Sequence, residues 1–141
     1  MTRTTSGGLY PWGNRFFLFL PTMIFTIVAK RYLLDPAHAP VPAGVQLTTP
    51  EAVTESRIIG AVVLAFVLSL WACVFSKARL REGHAMAMLL TGTVLVVRLI
   101  SFAVDGTTLA MGRQTLYVAM GSLFFVLNTV GYIAESKRRK T

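Results

Sequence analysis

The chain has one cysteine, Cys73, two histidines, His38 and His84, and only six acidic residues among its 141. A single thiol excludes a disulfide scaffold. No glycine-rich phosphate loop and no dinucleotide fingerprint occurs anywhere along it. Charge is scarce too: 14% of residues are charged, against roughly 25% in a soluble domain. Meanwhile 54% are hydrophobic, and mean hydropathy is +0.61. One small core cannot absorb so much apolar surface, so the excess must face something other than water. A disordered chain and a multidomain enzyme are both excluded, and a bilayer is indicated.

Hydrocarbon about 30 Å thick requires roughly 20 apolar residues of helix. Ile58–Phe75 is free of charge, Ala85–Val104 carries only Arg98, and Thr115–Ala134 carries none. The first apolar run, Phe16–Ala29, is short before Lys30 and Arg31. Basic side chains near a helix end snorkel to the headgroups, so the span extends to Leu34, with Pro21 expected to kink it. Ala37-His38-Ala39 imitates a signal-peptidase site, but the Lys30-Arg31 pair occupies what should be a neutral region. The first span is therefore read as a retained helix. The expectation is an all-α, four-transmembrane-helix bundle forming a single integral membrane domain over 1–141, with helices near 15–34, 50–76, 84–105 and 114–135. No internal repeat or low-complexity tract is evident.

The basic residues divide unevenly between the two sides of such a bundle. Arg3, Arg15, Lys77, Arg79, Arg81, Lys137, Arg138, Arg139 and Lys140 fall on the side of the termini, with only Glu82 and Glu135 to offset them. Lys30, Arg31, Arg57 and Arg113 fall opposite, balanced by Asp35, Glu51, Glu55 and Asp105. The positive-inside rule then places both termini in the cytoplasm, in a bacterial inner membrane. The run Lys137–Lys140 reads as a topological anchor that also attracts anionic lipid headgroups, and nucleic-acid binding is set aside. Tyr10, Trp12, Trp71 and Tyr132 fall at cytoplasmic ends, and Tyr32 and Tyr117 at outer ends, as an aromatic belt requires.

Asp35–Thr49 contains Pro36, Pro40, Pro42 and Gly44 and reads as an ordered crossing outside the membrane. It closes on Thr48-Thr49-Pro50-Glu51: a capping threonine, a proline in the first turn, and Glu51 three residues after Thr48. Helix two should therefore begin near Pro50. Small residues govern helix contact in lipid. Ala61, Ala65, Ser69 and Cys73, spaced by four, form a stripe on helix two that is read as a helix-packing face, either for a contact within the bundle or for docking a partner subunit. Ala119, Gly121, Ser122 and Gly131 offer similar sites on helix four. Asn128, the one amide inside a span, is expected to bond a neighbouring helix.

Arg98 is the costliest residue in the spans, about 2.5–3.5 kcal/mol at bilayer centre on insertion scales, and should be paired. Ser101, Phe102 and Asp105 share its helix face, and Asp105-Gly106 is a turn signal. Glu55, at the mouth of helix two, is the other candidate partner. We expect Glu55, Arg57, Arg98 and Asp105 to form one ionic cluster beneath the outer surface. Glu55-Ser56-Arg57 before a glycine-containing helix, with Arg98 seven residues ahead of Asp105-Gly106, resembles a bacterial domain-of-unknown-function family of small four-helix membrane proteins. The resemblance covers roughly residues 48–134. It differs at Ile59-Gly60-Ala61, where paired glycines are more typical. It implies that the four charged residues act as a unit, and it supplies no activity.

His38 and His84 lie on opposite faces and cannot jointly hold a metal or a haem. His84 alone could ligate a chlorophyll-type magnesium or cap the interface, and the second reading is preferred. The methionines Met86, Met88, Met111 and Met120 read as apolar filler. No catalytic constellation, metal site or cofactor is expected. The chain reads as a non-catalytic accessory or assembly subunit of a larger inner-membrane complex, photosynthetic, respiratory or transport. Its expected partners are membrane lipids and one or more protein subunits. Because free termini fray unless tied down, Met1–Arg15 is expected to lie against a partner protein or a pigment-bearing complex. The alternative is a lipid- or small-anion-binding module or channel built on Arg98.

Overall fold

Four long helices account for nearly all of the computed structural model, which describes residues 10–36, 49–104 and 114–138. Helix α1 runs Tyr10–Leu34, α2 Pro50–Phe75, α3 Leu80–Val104 and α4 Gln114–Arg138. A single 3-10 turn, Lys77–Arg79, joins α2 to α3. All four helices are long and apolar enough to cross a membrane. The protein is a multi-pass, all-α membrane bundle. Expectations for Met1–Leu9, His38, Pro40, Pro42, Gly44, Thr48, Asp105, Gly106, Arg113, Arg139 and Lys140 fall outside the described residues.

Local sequence explains the helix limits. The α2 N-cap is Thr49, whose hydroxyl accepts from the Ala52 amide at 3.2 Å, one residue later than a cap at Thr48 would sit. Pro50 in the first turn costs nothing, because that N–H would lack an intrahelical acceptor anyway. Helix α3 starts a turn earlier than its apolar run, at Leu80. The Ser76 amide bonds the Cys73 carbonyl at 3.2 Å, and the Arg79 amide bonds the Ser76 carbonyl at 3.2 Å, so the reversal is short. Pro21 sits inside α1, which continues unbroken through it. Just past it, Thr22 donates to the Leu18 carbonyl and Thr26 to the Thr22 carbonyl, both at 2.7 Å. Hydroxyls satisfied within their own helix in this way suit a medium that offers no water.

The helices form two closely packed antiparallel hairpins, α1/α2 and α3/α4, joined by lesser contacts of α1 with α3 and α4 and of α2 with α3. Gly60 lets α1 and α2 approach. A Cβ there would stand 2.8 Å from the Tyr32 Cβ and 3.0 Å from the Leu33 backbone nitrogen. One glycine thus makes the close contact, without a second beside it. The apolar core lies toward the end that holds the start of α1, and is built from Leu18, Leu70, Cys73, Val74, Leu80 and Ala87. Trp71 packs edge-on to Phe19 and stacks on Phe75, and its Nε1 donates to the Thr26 hydroxyl at 3.1 Å. Its polar edge therefore turns into the bundle rather than to headgroups. Elsewhere large apolar side chains such as Leu68, Leu89, Leu99 and Val126 are more than half exposed, as expected of surface that meets lipid.

Candidate functional site: a buried histidine, amide and carboxylate cluster

The helices bring four buried polar side chains together at the core end. Asn128, Gly131 and Glu135 follow one another at i, i+3 and i+7, on one face of α4. His84 and Asn128 are fully buried, Glu135 is 2% exposed and Asn14 6%. His84 of α3 lies flat on the backbone of Gly131. A Cβ at 131 would fall 2.4 Å from the ring Cε1, 2.6 Å from Nε2 and 2.8 Å from Nδ1. No other residue at 131 leaves room for the imidazole.

The hydrogen bonds assign the protons. Asn128 Nδ2 donates to the Phe124 carbonyl at 2.8 Å, so its Oδ1 faces His84 as an acceptor. His84 Nδ1, 2.9 Å away, must therefore be the donor. Nε2 is buried and makes no hydrogen bond of good geometry. The Glu135 carboxylate lies within electrostatic range of the imidazole. Asn14 Nδ2 in turn donates to Glu135 Oε1 at 2.9 Å, tying the first helix to the last. An Nη of Arg138 meets Glu135 Oε2 at 3.1 Å. That ion pair is asymmetric: Arg138 is 45% exposed while the carboxylate is buried. Removing either polar partner would leave a desolvated charge, which costs far more than an exposed pair gains.

Chemically the cluster can hold a proton on an imidazole nitrogen or a carboxylate, and it can lock the register of three helices. Among the described residues, no three His, Cys, Asp or Glu side chains converge to hold a metal ion. His84 does not cap an interface; it is enclosed between α3 and α4. Asn128 reaches a neighbouring helix, as its isolation in an apolar span suggested.

Of the expected outer cluster, Glu55, Arg57 and Arg98 are among the described residues and Asp105 is not. Arg98 donates to the Gln114 side-chain carbonyl and stacks over the Tyr117 ring, 4.7 Å from its centroid. Tyr32 of α1 lies within electrostatic range of both Arg98 and Tyr117. Glu55 and Arg57 are exposed on α2, and no ion pair joins either of them to Arg98. Among the described residues, then, Arg98 is held by an amide and an aromatic face, because α2 turns both charged side chains outward. Gln114, buried at the start of α4, was not singled out from sequence. The small-residue stripe is also placed unexpectedly: Cys73 is buried against Gly83, but Ala61, Ala65 and Ser69 are exposed. The inward face of α2 carries Ser56, Gly60, Val67, Leu70 and Val74 instead.

Four spans, two tight hairpins and a polar seam closed at one end define a polytopic membrane protein whose ionisable groups are built into its packing. The chain belongs to the family described as domain of unknown function DUF4345, whose model matches residues 13–128. The match begins at the first turns of α1 and ends at Asn128, so it takes in Asn14, His84 and Arg98 and reaches further toward the N-terminus than the resemblance drawn from the Glu55 and Arg98 motifs. Searches of curated proteins and of solved structures returned no match.

Proposed function

We propose that this chain is a non-catalytic accessory or assembly subunit of a larger complex in the bacterial inner membrane, with both termini cytoplasmic. The observation that carries the reading is the outward turn of the α2 stripe. Helix α2 packs inward through Ser56, Gly60, Val67, Leu70 and Val74 and leaves Ala61, Ala65 and Ser69 uncovered. Ser69 already donates to the Ala65 carbonyl at 3.1 Å, so its hydroxyl needs no water. A smooth, internally satisfied strip is what a second helix requires to approach closely in lipid. The cytoplasmic placement rests on the clustering of Lys77, Arg79, Arg81, Lys137 and Arg138 at one end. The partner is a membrane-embedded subunit of a photosynthetic, respiratory or transport assembly, with lipid around the rest of the bundle. The reading invokes no cofactor; the enclosure of His84 supports a packing role for that ring over pigment ligation. Purification in mild detergent, with mass spectrometry of co-migrating chains, tests this. Wild type should carry a stoichiometric partner that Ala65→Leu loses. A lone monomer in both would refute it.

The second reading makes the protein a lipid- or small-anion-binding module or channel that uses Arg98. It is favoured by one feature: the described partners of Arg98, Gln114 and Tyr117, are neutral. Anion flux into liposomes that depends on Arg98 would select it.

A further inference from the structure

We infer that the cleft between α3 and α4 is a binding site for one acidic phospholipid, its acyl chain in the cleft and its phosphate at Arg81. The cleft has a volume of about 520 Å³ and is lined by Met88, Leu89, Gly92, Val96, Phe125 and Tyr132, among others. It is open toward the surroundings rather than enclosed, and Leu89 and Val96 on its rim are 66% and 55% exposed. Helix α3 is the least covered of the four, with 11% of its span buried inside the protein.

Two features select the occupant. The first is length. The lining residues of α3 run from Ala85 to Val97, about 18 Å at 1.5 Å per residue, close to one leaflet of a hydrocarbon core about 30 Å thick. A partner helix would need a groove across both leaflets, whereas an acyl chain needs only one. The second is charge. Arg81 lies one turn before Ala85, on the cleft-facing side of α3. It is half-buried and makes no ion pair among the described residues. Lys77 and Arg79 stand on the turn just ahead of it. Tyr132 closes the same end with a ring suited to the headgroup level. A greasy channel one leaflet deep with a cationic mouth complements an anionic headgroup on an acyl chain. This inference does not depend on the accessory-subunit reading, since the α2 stripe takes no part in it.

The test is native mass spectrometry of the full-length protein, equilibrated with phosphatidylglycerol and phosphatidylcholine of identical acyl chains. Near a membrane surface one arginine favours an anionic lipid by about 1 kcal/mol, so phosphatidylglycerol should be retained about fivefold over phosphatidylcholine. Arg81→Gln should bring that ratio close to one. Gly92→Leu fills the cleft; if its added bulk against Phe125 prevents folding, Val96→Phe obstructs the same space from an exposed position. Either should lose bound lipid of both kinds. Equal retention of the two lipids by wild type, a ratio unchanged in Arg81→Gln, or full retention in the cleft-filling variant would each overturn the proposal. A protein chain found in the cleft by crosslinking from Val96 would overturn it as well.

Discussion

Replacing Gly131 with alanine exchanges one hydrogen for a methyl group and should be among the most damaging small changes available. All three nearest atoms, between 2.4 and 2.8 Å from the new Cβ, belong to the His84 ring. Ordinary contact lies near 3.5–4.0 Å, so the ring must move by about 1 Å. It is fully buried and tied to Asn128, so the movement overpacks the seam and breaks that bond. Overpacking costs about 1–3 kcal/mol, and an interhelical hydrogen bond in lipid averages about 0.6 kcal/mol. Together they give about 2–4 kcal/mol for Gly131→Ala. In a His84→Ala background the obstacle is gone. The same change should then be neutral, or favourable by up to about 1 kcal/mol through helix propensity. Reversible unfolding in mixed micelles, followed by circular dichroism for wild type, both single variants and the double variant, measures the difference. An equal cost of Gly131→Ala in both backgrounds would refute the steric argument outright.

Three further expectations follow from the same geometry. Gly60→Ala should destabilise the bundle by about 1–3 kcal/mol, because the obstacle includes the Leu33 backbone; a neutral result in the same unfolding assay would argue against the α1/α2 contact. In double-mutant cycles, Arg98→Leu and Gln114→Leu should couple by about 1 kcal/mol. Arg98→Leu and Glu55→Gln should add to within about 0.5 kcal/mol, and strong coupling there would restore the ionic pairing expected from sequence. Cys73, packed against Gly83 and 5% exposed, should resist a maleimide in native micelles and react fully once the protein is unfolded; rapid native labelling would contradict the burial.

The spans were legible because each depends on a local run of apolar residues, and the start of α2 because Thr49 and Pro50 are local signals too. The seam was not, for reasons of position. Placing the start of helix three at His84 made that residue a boundary feature, when the extra turn from Leu80 carries it inside. Placing the start of helix one at Arg15 left Asn14 outside, and Glu135 was read only as an acid offsetting the basic side. The bond between Asn14 and Glu135 joins residues 121 apart, which no pattern along the chain encodes. A signal did exist on α4: Asn128, Gly131 and Glu135 recur at helical spacing, a polar and small face where lipid contact would demand aliphatic residues. Arg98 was recognised as needing a partner, but its partner depended on how α2 is rotated. Charge and spacing specify which residues are costly, and helix rotation decides which of them meet.

The bond from Asn14 to Glu135 also has an order in time. During synthesis, the first hairpin can be complete before α4 has left the ribosome, and it holds only one half of that contact. Glu135 lies 121 residues after Asn14, so the carboxylate that closes the bundle is made long after the amide it meets. A nascent chain released before Glu135 would carry three whole helices and most of the fourth, and none of the latch.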